Sequence, residues 1–182
     1  EYRLIDFELM LWYSYRLIIN NESICKSLSG IFKNILIDEY QDTKELQYEI
    51  VSSILRVAKD TSLFVVGDPN QAIYESLGGY PIAIDELKAR TGKEFSELEL
   101  SKNYRSSKRI ISYFENFNLN KTNIEPASKE KDYQSVICYN TTVQRENLVD
   151  EIIRIIHHNI KVLGFSPNQI CIIAPWWVHL AS

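Results

Sequence analysis

NILIDEYQDTKELQ, residues Asn34 to Gln47, is the stretch on which the fold turns. Three apolar residues, Ile35 to Ile37, stop abruptly at two acids, Asp38 and Glu39. The apolar run predicts a short buried strand. A carboxylate buried without a partner is costly, so the acid pair should face a cleft, a metal or hydrogen-bond donors. Asp42 to Glu45 then has capping-box form, and Leu46, Ile50, Val51, Ile54 and Leu55 give a helical apolar face.

The same alternation extends outward. Residues 6–19 read as a helix capped by Asp6, with Ser29-Gly30 as a break after it. Ser62 to Val66 is a second buried strand, closed by Gly67-Asp68-Pro69-Asn70. Pro81 opens a helix to about Arg90, Leu98 to Leu100 is a weaker strand, and Ser106 or Ser107 caps a helix carrying Ile110, Ile111 and Phe114. Polar, aperiodic residues 119–133 read as a linker. Beyond it come a strand at 135–139, a helix capped from Thr141 to Gln144, and a strand at 169–174. The strands are continuous apolar runs. Alternating with helices, they predict an α/β fold: a parallel sheet with helices on both faces.

The bulk numbers exclude little. The chain has 182 residues, 45% hydrophobic and 24% charged, an ordinary globular balance. A net charge of -4 decides nothing about nucleic acid, because binding follows local clusters of Lys and Arg. Cys25, Cys138 and Cys171 lie far apart and read as reduced cysteines of an intracellular, cytoplasmic protein. His157, His158 and His179 show no ligand spacing. No apolar run approaches the roughly 20 residues that span a bilayer.

In a parallel α/β sheet, ligands bind at the carboxyl ends of strands. Asp38 and Glu39 occupy such an end; one acid can hold Mg2+ while the other polarises a water. A bare strand-to-loop transition would explain an isolated Asp-Glu as well. Asp68 and Gln71 follow the second strand, where Gln71 can orient a water or merely cap backbone, and Tyr74 can be a core aromatic. Tyr104-Arg105 precedes a helix; the ring offers a stacking face and the guanidinium a fork for phosphate, or a surface ion pair.

In this order, three stretches resemble the superfamily-one DNA helicases of the UvrD/Rep type. IDEYQDT is similar to their Walker B motif, DEFQDT. VGDPNQAIY is similar to their third motif, VGDxxQSIY, and LSKNYRSS to their fourth, LxxNYRS. The earlier IDFELML resembles the DFxDLL that precedes Walker B. The likeness covers about residues 4–117 and implies a RecA-like fold. It implies that Asp38 binds Mg2+, that Glu39 activates the attacking water, and that Gln41 and Asp42 couple the nucleotide site to the neighbouring strand. It further implies that Gln71 contacts the γ-phosphate or its water and that Tyr74 lies toward single-stranded DNA. Tyr104 would stack on adenine, and Arg105 would reach the γ-phosphate.

There are departures. Where the family continues Arg-Trp-Arg-Gly-Ala, this chain has Glu75-Ser76-Leu77-Gly78-Gly79, without the stacking aromatic. Pro175-Trp176-Trp177 does not match the family. No G-x-x-x-x-G-K-[ST] occurs, and Thr91-Gly92-Lys93-Glu94 lacks its upstream glycine and following hydroxyl. The expectation is therefore the middle of a longer protein. Residues 1–118 would be the latter part of a first RecA-like domain, 119–133 a linker and 134–182 the start of a second.

The function so implied is an ATP-dependent DNA helicase or translocase, acting on single-stranded or partly duplex DNA, with ATP and Mg2+ as cofactors. The isolated chain is expected to be inactive. The alternative is a non-catalytic helicase-like scaffold or a DNA-binding subunit of a repair or defence nuclease complex.

Overall fold

The computed structural model describes residues 5–174. The chain divides into two compact units, Glu1–Ser135 and Val136–Ser182. The first is mixed α/β. Its order is α1 (Phe7–Ile19), α2 (Glu22–Ile31), β1 (Asn34–Ile37), α3 (Glu45–Val57), β2 (Ser62–Val65), α4 (Ile84–Thr91), β3 (Lys102–Asn103), α5 (Lys108–Phe114) and β4 (Glu125–Pro126). β1 and β2 pair in parallel, Ile35 against Leu63 and Ile37 against Val65. β3 and β4 form a second parallel pair.

α3 is the hub. At one end Ile50, Ile54 and Val57 pack with Ile18 of α1, Cys25 of α2 and Ile35 of β1. At the other end Tyr48 packs with Ile37, Leu63 and Val65 of the sheet and with Ile82 and Leu87 around α4. Both strands thus turn alternate residues toward α3. The intervening residues, Leu36 and Phe64, are 73% and 55% exposed. The expectation of helices on both sheet faces is corrected here: among the described residues the β1–β2 pair is covered on one face. An apolar run specifies strand, but coverage depends on which elements pack against it.

Local chemistry explains most boundaries. Asp6 caps α1 by accepting from the Leu9 amide at 2.8 Å. Ser29-Gly30 does not end a helix; α2 runs through it, with open space around Gly30. Asp42 is not the cap of α3 but lies in a 3-10 turn over Tyr40–Asp42. The helix starts at Glu45, and Gln47 reaches back to accept from the Lys44 amide at 2.8 Å. Gly92, at φ +68, ends α4 in the left-handed region that glycine enters without strain. The expected strand at 98–100 is not formed; the next strand, β3, is Lys102–Asn103. Residues 119–133 contain β4 and fall in the first unit.

Arg90 ties α4 to α3, reaching Glu45, Glu49 and Glu86 at 2.5 to 2.7 Å while lying over the Tyr80 ring.

In the second unit a 3-10 turn, Arg145–Asn147, precedes α6 (Leu148–Lys161). The expected strands at 135–139 and 169–174 are not formed; a 3-10 turn, Pro167–Gln169, starts the latter. The tandem Trp176-Trp177 lies outside the described residues. Among the described residues no helix is long and apolar enough to cross a membrane.

Tyr48 is fully buried and donates its hydroxyl to the Tyr40 carbonyl at 2.7 Å. Burial pushes this phenol from about 10 up to about 12. Tyr48→Phe deletes the donor and leaves the Tyr40 carbonyl with the Thr43 amide as its partner. A loss of about 1 kcal/mol is expected, read as a lower urea midpoint. Native stability also falls as pH rises from about 10 to about 12, where only the unfolded phenol ionises. Tyr48→Phe should flatten that part of the alkaline decline.

Candidate functional site

β1 stops at Ile37, and Asp38 and Glu39 emerge exposed at its carboxyl end. One Asp38 oxygen accepts from the Glu39 amide at 2.9 Å. Glu39 adopts φ 51 and ψ 52, and it is the sole described non-glycine residue in that region. This bend lets the ladder continue past the strands. Val66 donates to the Ile37 carbonyl at 2.9 Å and Tyr40 donates to the Val66 carbonyl at 3.1 Å.

Gln41 follows, 1% exposed. Its Nε2 donates to Glu39 Oε2 at 2.8 Å, and its Oε1 accepts from the Asp68 amide at 3.0 Å. Both ends of the buried amide are therefore satisfied within the chain. Gly67 makes this possible. A Cβ there would lie 2.3 Å from Gln41 Oε1 and 2.8 Å from the Tyr40 backbone nitrogen. The Asp42 backbone donates to the Glu39 carbonyl at 2.9 Å, while its Oδ1 is buried without a partner.

Beyond β2, Asp68 organises the next turn. Its Oδ1 accepts from the Asn70 amide at 2.9 Å and its Oδ2 from Gln71 Nε2 at 2.9 Å. A continuous chain of hydrogen bonds thus runs from Glu39 through Gln41 and Asp68 to Gln71.

Gln71 lines a cleft of about 900 Å³. Asp68 and Asn70 line it too, as do Leu100 to Ser106, including Tyr104 and Arg105, and Phe114, Asn118 and Ile124. The structure therefore brings Gln71, Tyr104 and Arg105 to one cavity. Tyr104 is 70% exposed, and the Arg105 guanidinium makes no hydrogen bond or ion pair among the described residues. Asp38 and Glu39 do not line this cleft; Glu39 connects to it through the hydrogen-bond chain. Tyr74 stands apart, 47% exposed, and its carbonyl receives the amides of Leu77 and Gly79 at 2.9 Å each.

Two asparagines shape the cleft without any expectation attached to them from sequence. Asn70 pairs twice with the backbone of Asn120, as acceptor at 2.8 Å and donor at 3.1 Å. Asn103 receives two backbone amides. For Asn103 the signal is the preference of Asn for turns that bond its own following backbone; Asn70, which meets backbone far along the chain, carries no such signal.

These turns carry the motifs of a known family. The family model for the UvrD/REP helicase N-terminal domain matches residues 1–92. The chain belongs to the UvrD/REP helicase family. It is 34% identical over 109 residues to a probable DNA helicase II homolog of Mycoplasma genitalium, covering 59% of this chain and 15% of that protein. It is 35% identical over 107 residues to the ATP-dependent DNA helicase Rep of Escherichia coli, covering 59% and 16%. Against an ATP-dependent helicase/nuclease of Oenococcus oeni, named as one subunit of that enzyme, it is 30% identical over 115 residues, 62% of this chain and 9% of the other. This UvrD/REP chain thus spans about 15% of the length of the first of these relatives.

Gly67→Ala tests the tight junction. The added methyl must displace Gln41 or the Tyr40 backbone, so a loss of about 2 kcal/mol or more is expected, seen as a lower melting temperature. A melting temperature equal to native would show that the junction is slack.

Proposed function

We propose that this chain is part of an ATP-dependent DNA helicase or translocase of RecA-like architecture. The observation that carries the reading is the shared cleft of Gln71, Tyr104 and Arg105, joined through Asp68 and Gln41 to Glu39. The parallel β1–β2 pair with acids at its carboxyl end supports the architecture. The E. coli relative is named an ATP-dependent DNA helicase, which supports the activity.

In this reading Tyr104 stacks on the adenine and Arg105 meets the γ-phosphate. Gln71 releases Asp68 to orient the attacking water or touch the γ-phosphate. Glu39 takes a proton from that water, its carboxylate held by Gln41. Gln41 and Asp42 couple the nucleotide site to the neighbouring strand, and Tyr74 lies toward single-stranded DNA, where bases stack on aromatic faces.

Among the described residues no three His, Cys, Asp or Glu side chains gather to hold a metal. Asp38 is exposed and has one carboxylate oxygen outside its bond to the Glu39 amide. Such a donor fits Mg2+, which takes one or two carboxylates, with waters and phosphate oxygens as its other ligands. Bound with nucleotide, the ion would neutralise charge developing on the phosphates.

Glu75, Ser76 and Leu77 form an exposed 3-10 turn without an aromatic, which favours a second reading. There the chain is a scaffold or DNA-binding subunit of a repair or defence nuclease complex. The O. oeni relative, whose name joins helicase and nuclease, supports a nuclease partner.

ATP hydrolysis by the full-length protein, with and without single-stranded DNA, separates the readings. In a motor, DNA stimulates turnover and Glu39→Gln lowers it by about 10²-fold or more. Turnover that is absent, or indifferent to Glu39→Gln in a folded protein, favours the scaffold. The 182-residue chain alone, which holds no G-x-x-x-x-G-K-[ST] loop, is expected to turn over no ATP.

A further inference from the structure

We propose that Asn103 is a positioning residue for Arg105 and Tyr104. Its side-chain oxygen sets the bend that presents them to the cleft. The catalytic consequence rests on the ATP reading above; the positioning itself does not.

Asn103 is the last residue of β3, and its backbone carbonyl accepts from the Ala127 amide at 2.8 Å. The residue is thus anchored by a neighbouring strand. Its Oδ1 then accepts two successive amides, Arg105 at 2.9 Å and Ser106 at 2.8 Å. One acceptor holding both amides stops the strand and folds the next three residues into a bend. The far side of the bend is fixed as well. Ser107 is 5% exposed, caps α5, and meets Ser135 Oγ at 2.7 Å.

Between these anchors the side chains of Tyr104 and Arg105 have no structural task. Tyr104 is 70% exposed, and the Arg105 guanidinium has no partner among the described residues. Asn103 Oδ1 is what limits where their backbone can go. A long, freely rotating arginine reaches a phosphate efficiently only if its Cα is held, because misplacement by about 1 Å can cost about 10²-fold in rate.

The bend is near solvent, so its loss should loosen residues 104–106 without unfolding the core. Asn103→Ala removes the acceptor, and Asn103→Ser keeps a weaker one. In the full-length protein, Asn103→Ala should lower kcat for ATP by about tenfold, and Asn103→Ser should recover most of that. Arg105→Ala should be worse, and the Asn103→Ala/Arg105→Ala double variant should have a kcat no lower than Arg105→Ala alone, since Asn103 acts on kcat through that guanidinium and on KM through Tyr104. Hydrogen exchange at the Arg105 and Ser106 amides should quicken by about tenfold in Asn103→Ala.

Native kcat in Asn103→Ala, equal impairment in the Ala and Ser variants, or additive losses of kcat in the double variant would overturn the proposal. If Arg105→Ala itself keeps native turnover, the nucleotide reading falls, and exchange alone decides the positioning. Faster exchange at Arg105 and Ser106 would then support it, and unchanged exchange would overturn it.

Discussion

The buried amide of Gln41 is the constraint on which the site depends. One hydrogen bond fixes the Glu39 carboxylate and the other fixes the backbone of Asp68. A buried amide cannot lose either bond cheaply, because an unsatisfied buried polar group costs about 1–3 kcal/mol. The ends of β1 and β2 are therefore held in one register, over and above the strand ladder. Gly67 is the reciprocal condition: where Gln41 enters, no side chain fits on the neighbouring turn. Asp68 then holds Gln71, so the position of a side chain in the cleft traces back to a glutamine that never reaches it.

The cleft is built differently from the core that supports it. Around α3, cohesion is apolar: Tyr48 and Leu55 are almost wholly buried, and two clusters fill the helix ends. Around the cleft it is polar and local. Segment 118–135 is fastened to the Gln71 turn by Asn120 and to β3 by Ala127. At the start of α5, Lys131 accepts from the Lys108 amide and Asp132 pairs with Lys108. Leu98, Leu100 and Leu119 meanwhile lie more than four-fifths exposed. Few buried apolar contacts and many solvent-near hydrogen bonds mark the kind of region that opens at low free energy. Opening of such a wall need not disturb the apolar packing around α3.

Much of this was legible in the sequence, for identifiable reasons. α1, β1, α3 and β2 each have a strong apolar period or run, and Asp6 and Ser107 cap where their chemistry predicts. The motifs marked Gln71, Tyr104 and Arg105 as chemically apt, and one cavity gathers all three. What failed depended on partners. Residues 135–139 and 169–174 are apolar enough for strands, but a strand exists through its ladder, and no described element pairs with them. Leu36 and Phe64 belong to apolar runs yet face outward, because α3 covers one side alone. Gly30 breaks a pattern on paper, but on an exposed helix face it costs only about 1 kcal/mol, which packing at Cys25 and Leu28 can offset. The roles of Asn70 and Asn103 depend on which backbone they meet, and their types alone do not say.

Local rules are broken where the chemistry is expected, and both breaks touch the same amide. Glu39 accepts a left-handed backbone that a β-carbon disfavours by about 1–2 kcal/mol. Gly67 gives up any side chain, and with it conformational restraint of the unfolded chain. An unstrained residue at 39 would run on past the strand and lose the bond from Tyr40 to Val66. A larger residue at 67 would expel Gln41 and free the Glu39 carboxylate. Both features also serve the core, because Tyr40, which follows Glu39 and lies against Gly67, packs with Ile37 and Tyr48. The same junction fixes the polar group beside that aromatic. Here that group is the carboxylate of Glu39.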